Sequence, residues 1–237
     1  MKPLLIAGLM VSVALASCNI NTVEGDGHVV SKSFPHKDFK GIDARSQMNI
    51  HVRQGPGYSV KIDAEENLMK IMKVYNEKDQ LVIGFGEKVS VDPTRPIEVY
   101  ITAPEFRHLE GSGACNFQSE GNIKGNEITL SLSGASNADI GVEANKLGVD
   151  ASGDSKINLK GKVAYLSVEG SGSTTVKAFP LVSDNTSIDI SGAGEAEVWA
   201  AQTLKVEISG AADVSYKGNP TTIKKDISGA GEVRHID

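Results

Sequence analysis

The stretch Ile188-Asp189-Ile190-Ser191-Gly192-Ala193-Gly194-Glu195-Ala196 decides the fold, because it returns 18 residues later as Val206-Glu207-Ile208-Ser209-Gly210-Ala211-Ala212-Asp213-Val214. Outward from it, the Ser-Gly step occurs at Ser112, Ser133, Ser152, Ser171, Ser191, Ser209 and Ser228, with separations of 21, 19, 19, 20, 18 and 19 residues. Such a period is too short for a helix-hairpin repeat and fits one coil of a β-solenoid. Five residues after each serine stand Phe117, Ala138, Ile157, Val176, Ala196, Val214 and Val233. One before stand Gly111, Leu132, Ala151, Gly170, Ile190, Ile208 and Ile227, and three before stand Leu109, Leu130, Val149, Val168, Ile188, Val206 and Lys225. Alternation of apolar and polar positions on both sides of the step is the period of a strand. The Ser-Gly segment itself is a bend of small residues.

Each repeat therefore reads as strand, bend, strand and a longer turn, for example Glu120 to Asn126 or Lys217 to Thr221. Stacked at the strand spacing of about 4.8 Å, equivalent residues lie above one another. Apolar columns then fill a narrow interior, and small columns let the chain bend. The expected fold class is all-β: a parallel β-helix-like solenoid of about seven coils with an N-terminal β-rich cap. Lys225, Arg234, His235 and Asp237 read as a polar cap on the last coil.

The N-terminal half also reads as β, but without the period. Ile42 to Val52, Tyr58 to Asp63, Leu81 to Phe85 and Ile97 to Thr102 are strand candidates. Gln54-Gly55-Pro56-Gly57 predicts a hairpin between the first two. Glu65 to Met72 predicts a short helix with Leu68, Met69, Ile71 and Met72 inward.

Lys2 precedes an apolar run from Leu4 to Ala16 that is too short to span a bilayer and suits a signal peptide. Leu15-Ala16-Ser17-Cys18 resembles the lipobox of bacterial lipoproteins, which implies cleavage after Ser17 and a lipid on Cys18. Asn19 to Gly27 is polar and reads as a tether. The expected location is the bacterial cell envelope, lipid-anchored to the outer membrane, with the periplasmic and exterior faces both open.

The succession Phe39-Lys40-Gly41-Ile42, Asn49-Ile50-His51-Val52-Arg53-Gln54-Gly55, Leu81-Val82-Ile83, Val99-Tyr100-Ile101-Thr102-Ala103-Pro104 and Leu109-Glu110-Gly111-Ser112-Gly113 resembles the head GIN domain family of putative auto-transporter adhesins. The resemblance covers roughly residues 38–232. It implies a β-helix-like domain on a secreted or lipid-anchored bacterial protein and brings no catalytic residues with it. The domain organisation expected is a signal peptide over 1–17, a tether and lead-in segment over 18–37, and one GIN-type domain over 38–237. That domain divides into a non-repeating part, 38–105, and the Ser-Gly repeats, 106–237.

A net charge of −6 lacks the basic footprint that nucleic acid needs. The seven repeat serines read as a structural column, and no enzyme activity, cofactor or metal is expected. Cys115 reads as a small filler in a bend, with no disulfide partner once Cys18 is lipidated. Asp139, Asp154, Glu195, Asp213 and Glu232 lie near the bends; the last three share a register and read as a solvated stripe rather than a calcium site. Aromatic residues are 5% of the chain, few for stacking sugars. Trp199, one step past an inward position, is the best single candidate for ligand contact; the alternative is corner packing beside Pro180. The expected partners are a membrane, through the anchor, and a surface glycan or an envelope protein. The expected role is non-enzymatic display, adhesion or assembly, with a carbohydrate-binding or carbohydrate-cleaving β-helix protein as the alternative.

Overall fold

The computed structural model describes residues 21–237; the expected signal peptide and Cys18 lie outside the described residues. The fold is all-β with one short helix. In chain order the elements are β1 (Asn21–Glu24), β2 (Val29–Phe34), β3 (Gly41–Gln54), β4 (Ser59–Glu65), α1 (Glu66–Ile71), β5 (Lys73–Glu77), β6 (Gln80–Gly84), β7 (Val89–Asp92), β8 (Glu98–Ala103), β9 (His108–Gly134), β10 (Asn137–Ala178), β11 (Leu181–Trp199), β12 (Thr203–Lys217), β13 (Thr222–Gly229) and β14 (Glu232–His235).

The repeats pair in parallel, one above the next. Ser133 follows Leu132, the partner of Ala151, while Ser171 pairs with Ser191, Ser191 with Ser209 and Ser209 with Ser228. The strands run unbroken through five of the seven Ser-Gly steps and end at Gly134 and Gly229 in the other two, so at most steps the bend is absorbed by backbone conformation. The glycine of every step has positive φ, from 82° at Gly134 to 135° at Gly210. These glycines also stack with no room for a side chain. A Cβ on Gly172 would lie 2.8 Å from the Gly153 carbonyl oxygen, and one on Gly192 would lie 2.6 Å from that of Gly172. Two independent constraints, handedness and close approach, thus demand the same residue.

The predicted inward columns are inward. The residues five after and three before the serine are buried in every repeat but the last, including Phe117, Ile157, Val168 and Val206. Each fully buried aliphatic side chain contributes about 1.5–3 kcal/mol, and a single repeat has too few to fold alone. A further inward column stands three after the serine: Cys115, Ser136, Ser155 and Thr174. Ser136, Ser155 and Thr174 donate hydroxyls to the carbonyls of Ser133, Ser152 and Ser171, at 3.0, 3.4 and 3.4 Å. Cys115 stands where they do, its sulfur 3.5 Å from the Ser112 carbonyl. Burial pushes its thiol up to about 12, so it is a bend-filling group and not a nucleophile.

The column begins earlier than the Ser-Gly motif shows. β3 pairs with β9 from Gly41↔His108 to Val52↔Ser119, which puts Arg45-Ser46 in the place of Ser112-Gly113. The segment 38–105 is therefore not wholly outside the repeat. Ser46 carries φ of 106° without being glycine. Of the two constraints only handedness acts there, because the rung beneath it is interrupted: β6 pairs with β3 over Gly41–Ala44 and β8 over Asn49–Gln54, and neither reaches Ser46.

Antiparallel strands close this end. β4 pairs with β8, β2 with β4, and β5 with β6. The Gln54–Gly57 turn does not make a hairpin, since β8 lies between β3 and β4; parallel pairing of β3 with β8 gives the buried side chains of both the same direction. The helix falls on Glu66–Ile71, with Leu68 and Met69 buried and Ile71 and Met72 packed partly against the core. The tether reading fails from Asn21 onward: β1 pairs with β7 over Asn21–Glu24, and β2 lies on β4. Two short polar runs gain their strand partners from far along the chain, which local sequence does not display. The turn placed at Glu120–Asn126 is likewise continuous strand, with Gly121 at φ of 79° relieving the corner.

A buried carboxylate fastens the cap. Glu65 is fully buried and accepts hydrogen bonds from the N–H groups of Gly27, Thr94 and Arg95 and from the Thr94 hydroxyl, at 2.6, 2.9, 3.3 and 2.5 Å. Burial alone would raise its pKa, but the four donors outweigh it and hold the carboxyl below its ordinary value. At the opposite end Lys225 lies over the Tyr216 ring at 5.7 Å and donates to the Val233 carbonyl, while His235 stacks on Tyr216 at 4.9 Å.

Candidate functional site

The outward residues beside the bend form two columns. One is the serine column itself. The other stands two residues earlier, on the same face by strand periodicity: Asp43, Glu110, Ser131, Asp150, Glu169, Asp189, Glu207 and Asp226. The register pairs Asp43 with Glu110, Ser131 with Asp150, Glu169 with Asp189, Asp189 with Glu207, and Glu207 with Asp226. Seven of these eight positions are acidic, and the exception, Ser131, donates its hydroxyl to Asp150 at 3.3 Å.

The bend folds the two columns toward each other and leaves a groove. It holds about 480 Å³ between Glu110 and Ser191, and a further 200 Å³ continues it along Asp189, Glu207, Asp226 and Ser228. Neighbouring carboxylates one rung apart repel by roughly 1 kcal/mol in water, so the column opposes folding rather than aiding it. Two of its members are neutralised. Asp43 is buried under Arg45, whose Nε and second guanidinium nitrogen donate to it at 3.0 and 2.5 Å, and the carboxylate raises the Arg45 pKa further. Glu207 pairs with Lys205 at 2.6 Å. Among the described residues, Glu110, Asp150, Glu169, Asp189 and Asp226 have no salt bridge.

Such a groove accepts hydrogen bonds, attracts cationic groups and presents the same chemistry at every rung. None of the described histidines lines it, so its serines have no imidazole beside them to act as a base. The acidic column is legible in the sequence once the repeats are aligned on Ser-Gly, two residues before the serine rather than four after it. Of the set four after, Glu195, Asp213 and Glu232 are exposed, and Arg234 pairs with Asp213 and Glu232 at 3.7 and 3.1 Å. Trp199 is half-buried and does not line the groove. It stands in register with Lys217, and its indole nitrogen sits against the Gly218 corner, where an added Cβ would be 3.3 Å away. Cys18 lies outside the described residues.

The sequence matches the family model described as putative auto-transporter adhesin, head GIN domain, over residues 38–220. The chain belongs to this family. No curated protein matches it. Among solved structures, the GIN domain here is similar to a putative adhesin from Bacteroides fragilis, with TM-score 0.86 and 20% identity over 90% of this chain and 100% of that one. It is also similar to a putative lipid binding protein from Parabacteroides distasonis, with TM-score 0.75 and 20% identity over 92% of this chain and 100% of the other. A putative adhesin from Parabacteroides merdae gives TM-score 0.68 and 21% identity over 91% and 99% of the two chains. At these identities the likeness is one of fold.

Proposed function

We propose that the protein is a lipid-anchored cell-envelope protein with a non-enzymatic role in display, adhesion or assembly, held to the membrane through Cys18. Its GIN domain is a parallel β-helix-like solenoid of about seven coils under an N-terminal β-rich cap. The observation that carries the reading is the outward groove: one acid–hydroxyl motif repeated along the rungs at the cost of mutual repulsion. A face that repeats its chemistry at rung spacing engages an extended partner along its length, as an adhesive or assembly surface must. The family description, and the names given to the B. fragilis and P. merdae proteins, support adhesion.

Protease accessibility on intact cells tests the placement, with a periplasmic protein as control. Digestion from outside supports adhesion; full protection removes it and leaves assembly within the envelope. Cys18→Ala should release the chain from the membrane fraction with its fold intact, and retention of that variant would defeat the anchor. The alternative, carbohydrate binding, is favoured by a different surface at the cap.

A further inference from the structure

Where the rungs meet the cap, three strands set an aromatic and charged row side by side: His51 on β3 pairs with Tyr100 on β8, which pairs with Lys61 on β4. The two rings stack with centroids 4.8 Å apart and planes 13° apart, and the Lys61 ammonium lies 5.3 Å from the Tyr100 ring centre. Tyr100 remains 40% exposed. Two residues further along the same strands stand Arg53, Thr102 and Ser59. Between these rows, with Glu120 at one side, lies a pocket of about 290 Å³.

The pocket is preorganised from beneath. Glu98 takes the His51 Nε2 at 2.7 Å and the Asn49 amide at 2.8 Å. Asn116 donates to Asn49 at 3.0 Å, and Asn137 donates to Asn116 at 2.7 Å. This chain of amides fixes the imidazole plane, and the imidazole in turn supports the tyrosine ring. Rings held in this way lose little entropy on binding.

We propose that this pocket binds an anionic saccharide, one uronic acid unit of a polysaccharide at a time. The inference deepens the carbohydrate-binding alternative and rests on it. The carboxylate goes to Arg53 and Lys61. Among the described residues, the Arg53 guanidinium is held only by a 3.9 Å pair with exposed Glu120, and its five donors leave room for a bidentate carboxylate. Lys61 shares its ammonium with Asp63 at 3.0 Å and keeps further donors. Sugar hydroxyls meet Ser59, Thr102 and Glu120, donors and an acceptor within one ring's reach. The sugar ring lies against the exposed edge of Tyr100, whose two faces are covered by His51 and Lys61. The volume lies at the small end of small-molecule pockets, about 300 Å³, which limits occupancy to a single ring.

Titration calorimetry of the full chain with tetragalacturonate, and with neutral maltotetraose, tests the assignment. Tetragalacturonate should bind saturably and at least about tenfold more tightly than maltotetraose, a difference of about 1.4 kcal/mol. Tyr100→Ala and Arg53→Gln should each weaken it about tenfold or more, Tyr100→Phe should retain most of it, and raising salt from about 0.1 M to about 1 M should weaken it. Absence of saturable binding, unchanged affinity in Tyr100→Ala, or equal affinity for the neutral sugar overturns the proposal. So does displacement by inorganic sulfate at the sugar's own concentration, which would mark a simple charge site. Circular dichroism of each variant separates lost binding from lost fold. Loss of binding would leave surface exposure and Cys18-dependent retention unchanged, so the two readings fail separately.

Discussion

The rungs, β3 and β9 to β14, and the cap, β1, β2 and β4 to β8, share one core but are built on opposite plans. From β9 onward each position is a column, so one rule recurs: glycine at the bend, an apolar residue five after the serine, and an acid two before it at every step except that of Ser131. In the cap each fastening occurs once. Glu65 clasps three backbone N–H groups and a hydroxyl from separate segments, and α1 drops Leu68 and Met69 into the core. Repetition spreads stability over many equivalent contacts, whereas the cap concentrates it in a few.

The largest break expected in the rungs comes from Gly192→Ala. It places a Cβ 2.6 Å from the Gly172 carbonyl at φ of 123°, and should cost at least about 3 kcal/mol in urea unfolding. A cost below about 1 kcal/mol would mean that the rungs shift apart easily. The matching break in the cap is Glu65→Gln, which turns an amide N–H₂ toward backbone donors and should cost about 2–3 kcal/mol. It also has a pH signature. Because the folded carboxyl ionises below its ordinary value of 4.5, its contribution is complete above that value and is lost as pH falls through the folded value. Stability of the parent should therefore fall on the acid side more steeply than that of Glu65→Gln.

Ser46→Gly sharpens the contrast in the other direction. It relieves positive φ where the glycine column begins and should stabilise by about 1 kcal/mol; destabilisation would show that the Ser46 side chain is needed there. The smallest effect belongs to the groove. Glu169→Gln with Asp189→Asn removes the repulsion between the two and that between Asp189 and Glu207, and should raise stability by about 0.5–1 kcal/mol at low salt, with the gain fading near 1 M salt. A loss instead would mean that the column holds the bends in place.

The same contrast explains what the sequence disclosed. Columns are visible because each residue is tested against its equivalents: Val149, Val168 and Val206 corroborate one another by position alone. The strand over Ile42 to Val52 is legible as β3, but its place in the column escaped because its bend reads Arg45-Ser46 and because 67 residues separate Asn49 from its partner Asn116. β1 and β2 escaped because four and six residues of mixed polarity become strands only through distant partners. The groove's acidic column was present in the aligned repeats. The His51–Tyr100 pocket was not, since it joins β3, β4 and β8, whose order in the sheet differs from their order in the chain.

That 67-residue separation also sets a timetable. Neighbouring rungs pair across spans such as the 19 residues from Ser131 to Asp150, short loops that close quickly. Gly41–Gln54 has no partner so near: β6 reaches its first arm from Gln80, β8 its second arm from Glu98, and only β9, from His108 onward, pairs along its bend. At about 5–20 residues per second of synthesis, the first-made rung waits seconds for its first partner and longer for β9 to cover its bend. It is thus begun early and completed late, and until then it is a part that a chaperone would have to guard.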